Sequence, residues 1–471
     1  MREFANNFTE YLLNGINRED RVALNMPGLE TALNVEKLGN GLVKYRKGDF
    51  IKEDEFPYPQ IFDLSHGTYF LYHDRIEKYN PADGTVIVQL VGITPDNTWH
   101  TASVNGELGI ATNGTTFVVL RNQDIKSKDL NITTVAADQS RFYLGGFGGL
   151  TGTTFGSVLI NLGESPDNFD KSTILWTPIG DFSFIEDYLM SYFPPWSAND
   201  TRSDLMRMIR ENDIGWTRLP GDNKVRVLKQ FSQSVTAYAT QGIFSLIKNN
   251  QYVGVNLIFQ KGIKSRLSVA SNNNQHMFIS DRDELCVYSS DGIQIIGYEK
   301  IFRDIVPVMF YDFFFNRFII THINGSFIFH EETLTQISDR VTAVSQNVKK
   351  GFIGLESNNK QIKIVTLPFD LTVRGLKTIT SINAAVYSGT DHYHNVHYKY
   401  KDKNKWYENL KVVANDEGVT FIRTSGLVFK IELNTIDPDY FEVNYLEIKW
   451  QSDDKRYSRG THLQPSVGEG Q

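Results

Sequence analysis

From Phe56 onward, the hydrophobic positions fall into short runs separated by turn signals rich in Gly, Asn and Asp. Such runs are typical of β-strands, and a short turn between two of them predicts an antiparallel hairpin. The pattern of strand, turn and strand recurs seven times, beginning near residues 68, 107, 141, 234, 276, 317 and 351. All but one of the steps between copies fall near the period of about 40 residues that four-stranded propeller blades show.

The clearest copy is Val306–Ser338. Asn324-Gly325 lies there between two apolar, β-rich runs, and this dipeptide predicts a type I′ hairpin turn with positive φ at both residues. The runs leave no clearly polar face, because they contain Phe313, Phe314, Phe315, Phe318, Ile319 and Ile320. A sheet that is apolar on both faces must be covered on both, and radially stacked propeller blades provide such cover.

The one long step, from residue 141 to residue 234, indicates an insertion. Ser183 and Glu186 form a predicted capping box, Pro194-Pro195 breaks the chain, and Asp200–Asn212 has apolar residues at helical spacing. We therefore predict a small helical insertion at about 180–223. Without it, the long step shrinks to about 49 residues, near the common period.

Both ends of the chain differ from the repeats. Residues 1–55 have short apolar runs and a turn at Asn25–Gly28, which favours an extended N-terminal arm. After Pro368 the loops lengthen, and alternating strands predict a β-sandwich over residues 373–451. Residues 452–471 are polar and are expected to form a flexible tail. The predicted fold is thus all-β, with a β-propeller of six or seven blades at 56–372 and a C-terminal β-sandwich.

Composition limits the partners and the cellular setting. The net charge is −7, so the whole molecule has no general attraction for nucleic acid, although a local basic patch remains open. Cys286 is the single cysteine, which rules out an intrachain disulfide and a cysteine zinc cluster. The N-terminus lacks the apolar core of a signal peptide, and no apolar run is long enough to span a membrane. These features predict a soluble protein made in a reducing compartment.

The histidines His392, His394 and His397 are the best candidate for a metal site. In a strand the first two would share a face while His397 would point to the other, so a three-histidine site would need a bend. The alternative is a solvated loop, and the residues favour that alternative.

Two further segments were weighed as anion-binding sites. The glycine-rich Gly145–Gly152 lacks the Lys and Ser or Thr of a phosphate-binding loop, which favours a turn between blades. A second segment places lysines at every other position, so that they would line one face of a strand. They could contact phosphate or an acidic neighbour, but an edge strand protected against aggregation is favoured. The lysines are Lys399, Lys401, Lys403 and Lys405.

The best candidates for paired carboxylates lie in predicted turns, at Asp281–Glu284, Glu331-Glu332 and Asp453-Asp454. Glycosidases need two carboxyl groups that face each other across a sugar, whereas adjacent acids in turns point apart into solvent. Sequons at Asn113, Asn131 and Asn324 mean little in a protein that is not secreted. No catalytic, cofactor-binding or metal-ligating residue is therefore predicted, and the chain is expected not to be an enzyme.

The layout resembles that of tail hub or nozzle proteins of short-tailed bacteriophages, of the packaged-DNA stabilisation type. An Asn-rich arm is followed by short sequence motifs, a propeller whose blades carry no recurring signature motif, and a terminal sandwich. The short segments that carry the resemblance are Asn25–Gly28, Pro57–Phe62, Trp99–Ser103, Asn105-Gly106, Asn113-Gly114, Phe429–Leu433 and Tyr445–Trp450. The similarity extends over most of the chain in domain order and loose pattern.

This resemblance implies a non-enzymatic virion protein located in the phage tail and synthesised in the host cytoplasm. Its relatives form a homo-oligomeric ring, expected to be a hexamer, below the portal and adaptor. The ring surrounds the channel through which viral DNA passes and carries further tail proteins. An alternative function is a propeller that binds or cleaves glycans, since aromatic loops stack on sugar rings and propeller mouths hold ligands.

Overall fold

A computed structural model describes residues 3–452. Within that range the described residues exclude 19–23, 54–58, 81, 95–97, 123, 130, 140, 148–169, 179–214, 249–252, 273, 346–350, 372–374 and 401–404. Strands β1–β39 and helices α1 and α2, numbered along the chain, account for the regular structure. The helices, α1 (Thr9–Leu13) and α2 (Glu299–Phe302), are short, so the predicted all-β class is confirmed. No helix in the described part of the chain is long and apolar enough to span a bilayer.

The chain divides into two compact units that are discontinuous in sequence. Unit 1 contains residues 1–46, 325–338 and 357–471, and unit 2 contains residues 47–324 and 339–356. The sequence had suggested consecutive domains instead. The difference arises because β-strands pair with strands that are remote in sequence, and no local signal marks such pairing.

Five sheets of unit 2 have four antiparallel strands each, in simple sequential order. The first two sheets are β6 (Gln60–Leu64), β7 (Gly67–Leu71), β8 (Arg75–Tyr79) and β9 (Val86–Val91), then β10 (His100–Val104), β11 (Leu108–Thr112), β12 (Thr116–Leu120) and β13 (Ile125–Asp129). The third and fourth are β14 (Ile132–Ala137), β15 (Arg141–Phe147), β16 (Thr173–Pro178) and β17 (Gly215–Arg218), then β18 (Val225–Phe231), β19 (Ser234–Ala239), β20 (Ile243–Lys248) and β21 (Val253–Phe259). The fifth is β22 (Val269–Ser271), β23 (His276–Ile279), β24 (Leu285–Ser289) and β25 (Gly292–Gly297).

The remaining strands of unit 2 form two smaller groups. In one, β26 (Val308–Asp312) pairs antiparallel with β27 (Arg317–His322). In the other, β31 (Gly351–Leu355) pairs antiparallel with β30 (Arg340–Val344) and parallel with β5 (Asp49–Glu53). The copy of strand, turn and strand predicted to begin near residue 351 is therefore not formed, because β31 pairs with β30 and β5 and not with the strand that follows it.

Adjacent sheets of unit 2 pack through buried apolar side chains. One cluster joins Phe62 and Leu71 of the first sheet to Val118 of the second, and another joins Phe117 to Phe142 of the third. Similar clusters join the third to the fourth sheet and the fourth to the fifth. The strands β12 and β15 are buried along their whole length. In the copy Val306–Ser338, Phe318, Ile319 and Ile320 are buried, whereas Phe313 and Phe314 are exposed, so only part of that segment is covered as predicted.

Unit 1 contains two larger sheets. In one, the order is β3 (Val35–Leu38), β4 (Gly41–Lys44), β39 (Phe441–Ser452), β33 (Lys377–Ser388) and β37 (Val419–Gly426), with β1 (Glu3–Asn7) also on β39. The other contains β28 (Gly325–His330), β29 (Thr333–Ile337), β2 (Leu29–Leu33), β32 (Gln361–Thr366), β38 (Val428–Ile436) and β34 (His392–Lys399) in that order. Two short strands, β35 (Tyr407–Glu408) and β36 (Val412–Val413), pair with β34.

The N-terminal segment is part of the architecture of unit 1. Its strand β1 pairs with β39 from Glu3 to Asn7, and β2 pairs with both β29 and β32. The Phe8 ring lies 4.5 Å from that of Phe369, centroid to centroid. The expected extended arm therefore supplies strands to both sheets of this unit.

Turn chemistry was predicted correctly at some sites and not at others. Asn105 and Gly106 have φ of 51° and 69°, which suits a tight hairpin turn. At Asn324-Gly325 only the glycine has positive φ, at 142°, so the predicted type I′ turn is not formed. The division between the two units falls between these two residues.

Of the predicted helical insertion at about 180–223, residues 180–214 lie outside the described residues. Its last part is instead sheet, because Gly215–Arg218 forms β17 and pairs with β16. The expected flexible tail from residue 452 likewise lies outside the described residues, except for Ser452 at the end of β39.

Candidate functional site

The first strands of the repeated units in unit 2 line a single cavity of about 420 Å³. The contributing strands are β6, β10, β14, β18, β22, β26 and β30, each from a different sheet or strand group. In each four-stranded sheet the other three strands follow the first in sequential order, so the first strand is an edge strand of its sheet. The cavity is thus built from seven separate segments of the chain.

Two cationic side chains, Lys229 and Arg266, line this cavity beside His100. Burial lowers the pKa of Lys229 below its usual value. Burial also holds the pKa of His100 well below its usual range, and the nearby charges of Arg266 and Lys229 lower it further. The imidazole of His100 is therefore neutral at pH 7.

A hydrogen-bond relay fixes the orientation of His100. The Nδ1 atom of His100 lies 2.7 Å from the Oγ1 of Thr134, and this Oγ1 also accepts the main-chain N–H of Leu228 at 3.0 Å. The Thr134 hydroxyl thus bridges the imidazole and the main chain of β18. The first strands β10, β14 and β18 are tied together by this relay.

The cavity also carries a carboxylate, Asp63 of β6, that is held by two hydroxyls. Its oxygens accept from the Oγ1 of Thr68 at 2.7 Å and from the Oγ of Ser345 at 3.0 Å. The lining thus includes the cations Lys229 and Arg266 and the carboxylate of Asp63. Such a lining suits a polar or zwitterionic ligand better than an apolar one.

A second cavity of about 710 Å³ adjoins the same part of unit 2 and shares Arg266 with the first. Its other lining residues come from strands β14 and β18 and from loops of the second to fifth sheets. They are Gly114, Thr115, Asn131, Thr133, Lys171, Lys224, Val225, Arg226, Thr240 and Ser265. Four of the lining side chains are cationic and none is acidic, which contrasts with the net charge of −7 for the whole chain.

The three histidines weighed as metal ligands all lie in strand β34 of unit 1. His394 is buried, its Nδ1 lies 2.7 Å from the Oγ1 of Thr420, and burial lowers its pKa to about 3. His397 instead contacts Glu432, with its Nε2 at 2.9 Å from the Oε2. Among the described residues, no group of three His, Cys, Asp or Glu side chains is placed to hold a metal ion.

The segment Gly145–Gly152 begins inside strand β15, and residues 148–152 lie outside the described part. The expected turn is therefore absent at Gly145 and Gly146, which lie within β15, and Gly145 pairs with Thr134 and Ile174 of the third sheet. Gly146 has φ of 70°, and a Cβ there would lie 2.7 Å from the Cβ of Thr133. These glycines allow close packing of strands.

Of the four alternating lysines, Lys399 ends β34 and Lys405 precedes β35, while Lys401 and Lys403 lie outside the described residues. The ammonium group of Lys399 lies 4.8 Å from the ring centroid of Trp406, and that of Lys405 lies 5.3 Å from the ring of Tyr407. Both lysines therefore contact aromatic rings.

The carboxylates considered for acid–base chemistry are engaged in local contacts. Glu284 pairs with Lys261 at 2.6 Å and Asp283 with Lys264 at 2.6 Å, and Glu331 accepts the main-chain N–H of Gly39 at 2.9 Å. Asp453-Asp454 lies outside the described residues. The sequon residue Asn113 is buried, and its Oδ1 accepts the N–H of Thr116 at 2.7 Å.

Sequence reasoning missed His100, Lys229 and Arg266. Each stands alone in its segment, with no motif or spacing that relates it to the others. The available signal was their position in or just before the first strand of a repeat. Only the convergence of those strands makes them neighbours.

No protein-family model matches the sequence. A search of curated proteins likewise finds no match.

Proposed function

We propose that the protein is a structural component of a phage tail, built on a seven-bladed β-propeller in unit 2 and a β-sandwich in unit 1. In this proposal it assembles as a homo-oligomeric ring, expected to be a hexamer, below the portal and adaptor of the virion. The ring, and not the cavity of one subunit, surrounds the viral DNA. The family resemblance supplies the biological role, and the convergence of seven first strands on one cavity is the observation that carries the architecture.

Contacts between successive strand groups support closure of the propeller. The first five sheets are joined in order by apolar clusters. The N–H of Met309 on β26 donates to the carbonyl of Leu267 at 3.0 Å, and Thr321 on β27 donates to the carbonyl of Val341 on β30. Apolar side chains of β30 and β31 pack in turn against Phe70 of the first sheet. This series returns to its start, as a propeller requires.

A hydrogen bond between the two sheets of unit 1 supports the β-sandwich. Thr420 of β37 and His394 of β34 belong to different sheets, and both side chains are buried. Buried inward-facing side chains from two sheets are what a sandwich core contains.

The outermost strand of the first sheet supports association with other chains. All of β9 (Val86–Val91) except Leu90 is exposed, and the strand carries no charge. The corresponding strand β13 of the next sheet carries Lys126 and Lys128, as protected edges do. An exposed apolar edge with free main-chain hydrogen-bonding groups favours pairing with another strand.

Purification of the full chain alone and together with its neighbouring virion proteins tests the assembly proposal. We expect light scattering and electron microscopy to detect rings, or incorporation into a tail complex. A protein that stays monomeric and joins no tail complex would overturn the proposal.

Glycan recognition is a second candidate, because the 420 Å³ cavity combines aromatic and polar lining groups such as Trp99, Tyr311 and Asn272. Aromatic faces stack on sugar rings, and amides bond to their hydroxyls. A glycan array and a hydrolysis screen distinguish the two candidates. Sugar binding or turnover that is lost in Asp63→Asn would favour the second.

A further inference from the structure

The 710 Å³ cavity of unit 2 concentrates positive charge that the described protein does not neutralise. Lys171 and Lys224 are exposed, and neither ammonium group has an ion-pair or hydrogen-bond partner among the described residues. Arg226 likewise has no carboxylate partner in that part of the chain. Like charges that share a cavity repel one another, and a bound anion would relieve this repulsion.

The guanidinium of Arg226 is held in place without losing its capacity to bind. Its Nη1 donates to the carbonyl oxygens of Ile263 at 2.6 Å and of Lys264 at 3.1 Å. Carbonyl acceptors fix the orientation but do not cancel the charge. The Nε and Nη2 donors have no protein acceptor among the described residues. A planar fork of this kind suits the oxygens of a phosphate group.

The main chain beneath the two lysines is also well fixed. The carbonyl of Lys171 accepts the N–H of Val225 at 2.7 Å, and the carbonyl of Lys224 accepts the N–H of Thr240 at 3.1 Å. These bonds join loops of the third and fourth sheets. The lysines therefore project from a shared, ordered platform, which lowers the cost of ordering them around a ligand.

Asp170, next to Lys171 in the chain, is committed to other partners, whereas Asp222, two residues before Lys224, is exposed and does not line the cavity. Asp170 accepts the N–H of Ser172 at 2.8 Å, and its pKa is lowered because this and other hydrogen bonds outweigh the effect of burial. Asp283 pairs at 2.6 Å with Lys264, whose carbonyl oxygen accepts a hydrogen bond from Arg226. Neither carboxylate lines the cavity.

We propose that this cavity binds a phosphate group, held by the forked guanidinium of Arg226 and by the ammonium groups of Lys171 and Lys224. Arg266, whose Nη2 donates to the carbonyl of Thr133, adds positive charge at the junction with the neighbouring cavity. The phosphate belongs either to a small free ligand or to a nucleic-acid backbone. This site does not depend on the assembly state proposed above.

Calorimetric titration of the full-length protein tests the proposal with three probes: inorganic phosphate, pyrophosphate and a short DNA duplex. The test variant is Lys171→Gln/Lys224→Gln, which removes two exposed charges. The matched control is Lys300→Gln/Lys411→Gln, which removes two exposed charges elsewhere. Circular dichroism and thermal melting confirm that each variant is folded.

We expect the wild type and the control to bind pyrophosphate, with affinity that falls as salt rises. Charge-assisted contacts are strong, so the test variant should bind about tenfold more weakly or worse. Competition by the duplex would identify nucleic acid as the source of the phosphate, whereas phosphate binding without duplex binding would identify a small ligand. The proposal is overturned if no probe binds the wild type, or if the test variant binds as tightly as the control.

Discussion

The ion pair between Asp312 and Arg317 offers the sharpest test of the packing in unit 2. The Arg317 Nε lies 3.0 Å from the Asp312 Oδ2, and the side chains are 0% and 1% exposed. The other carboxylate oxygen accepts the main-chain N–H groups of Phe314 at 3.1 Å and Phe315 at 3.3 Å. The aspartate therefore both neutralises a buried cation and orders the turn between β26 and β27.

Replacing Asp312 with Asn separates these two roles. The amide oxygen can still accept the N–H groups of the turn, but the ion pair with the buried guanidinium of Arg317 is lost. Removal of one partner of a buried ion pair costs about 3–5 kcal/mol of unfolding free energy. At roughly 2 °C per kcal/mol, the melting temperature of unit 2 should fall by about 6–10 °C.

The double variant Asp312→Asn/Arg317→Met should recover part of this loss, because the buried guanidinium is removed together with its partner. Asp291→Ala, in the exposed turn between β24 and β25, is the control and should change stability by less than about 0.5 kcal/mol. Thermal melting measures the overall effect, and hydrogen exchange in β26 and β27 reports the local free energy of opening. The reasoning fails if Asp312→Asn costs less than about 1 kcal/mol, or if the double variant is as unstable as the single one.

Three further predictions follow from buried groups and edges. Burial lowers the pKa of His276 to about 3. The unfolded chain therefore takes up this proton first, and folding stability is lost by up to about 1.4 kcal/mol per pH unit as the pH falls from 6.5 towards 3. Acid melts of His276→Leu should show a weaker dependence of stability on pH, and an unchanged dependence would contradict this reasoning. A Cβ on Gly262 would overlap the carbonyl oxygen of Thr240, so Gly262→Ala should lower the free energy of unfolding, measured with denaturant, by about 1–3 kcal/mol. Gly254→Ala should cost less, because the atom nearest to its added Cβ lies 3.7 Å away. Equal costs would contradict the steric argument. Ile87→Lys on the exposed edge strand β9 should weaken self-association measured by sedimentation without lowering the melting temperature, and unchanged association would exclude this edge as the contact.

Local pattern was sufficient to place most strands. Strands β15, β19 and β31 begin at Arg141, Ser234 and Gly351, where copies of the repeat were predicted to begin. Each is a short apolar or β-branched run between turn residues, and the preference of such side chains for strands acts within the run itself. The same holds for the long C-terminal strands, where alternation marks one buried face.

Pairing between remote strands could not be predicted in this way. Gly351–Leu355 pairs in parallel with Asp49–Glu53, about 300 residues away along the chain, and not with the next strand-like run. The N-terminal residues were predicted to form an extended arm because their apolar runs are short. They supply strands to both sheets of unit 1, since sheets accept short strands when neighbours on either side satisfy their hydrogen bonds.

The sequence by itself determined the β class, the repeat of about 40 residues and the absence of a cysteine framework, because each depends on residue types and spacing along the chain. Tertiary structure decided which side chains meet. His100, Lys229 and Arg266 come from separate repeats, and Lys171, Lys224 and Arg226 carry no motif between them. Their charges act together only because the fold brings their strands and loops to shared cavities, and electrostatic interaction depends on distance in space, not on separation in sequence.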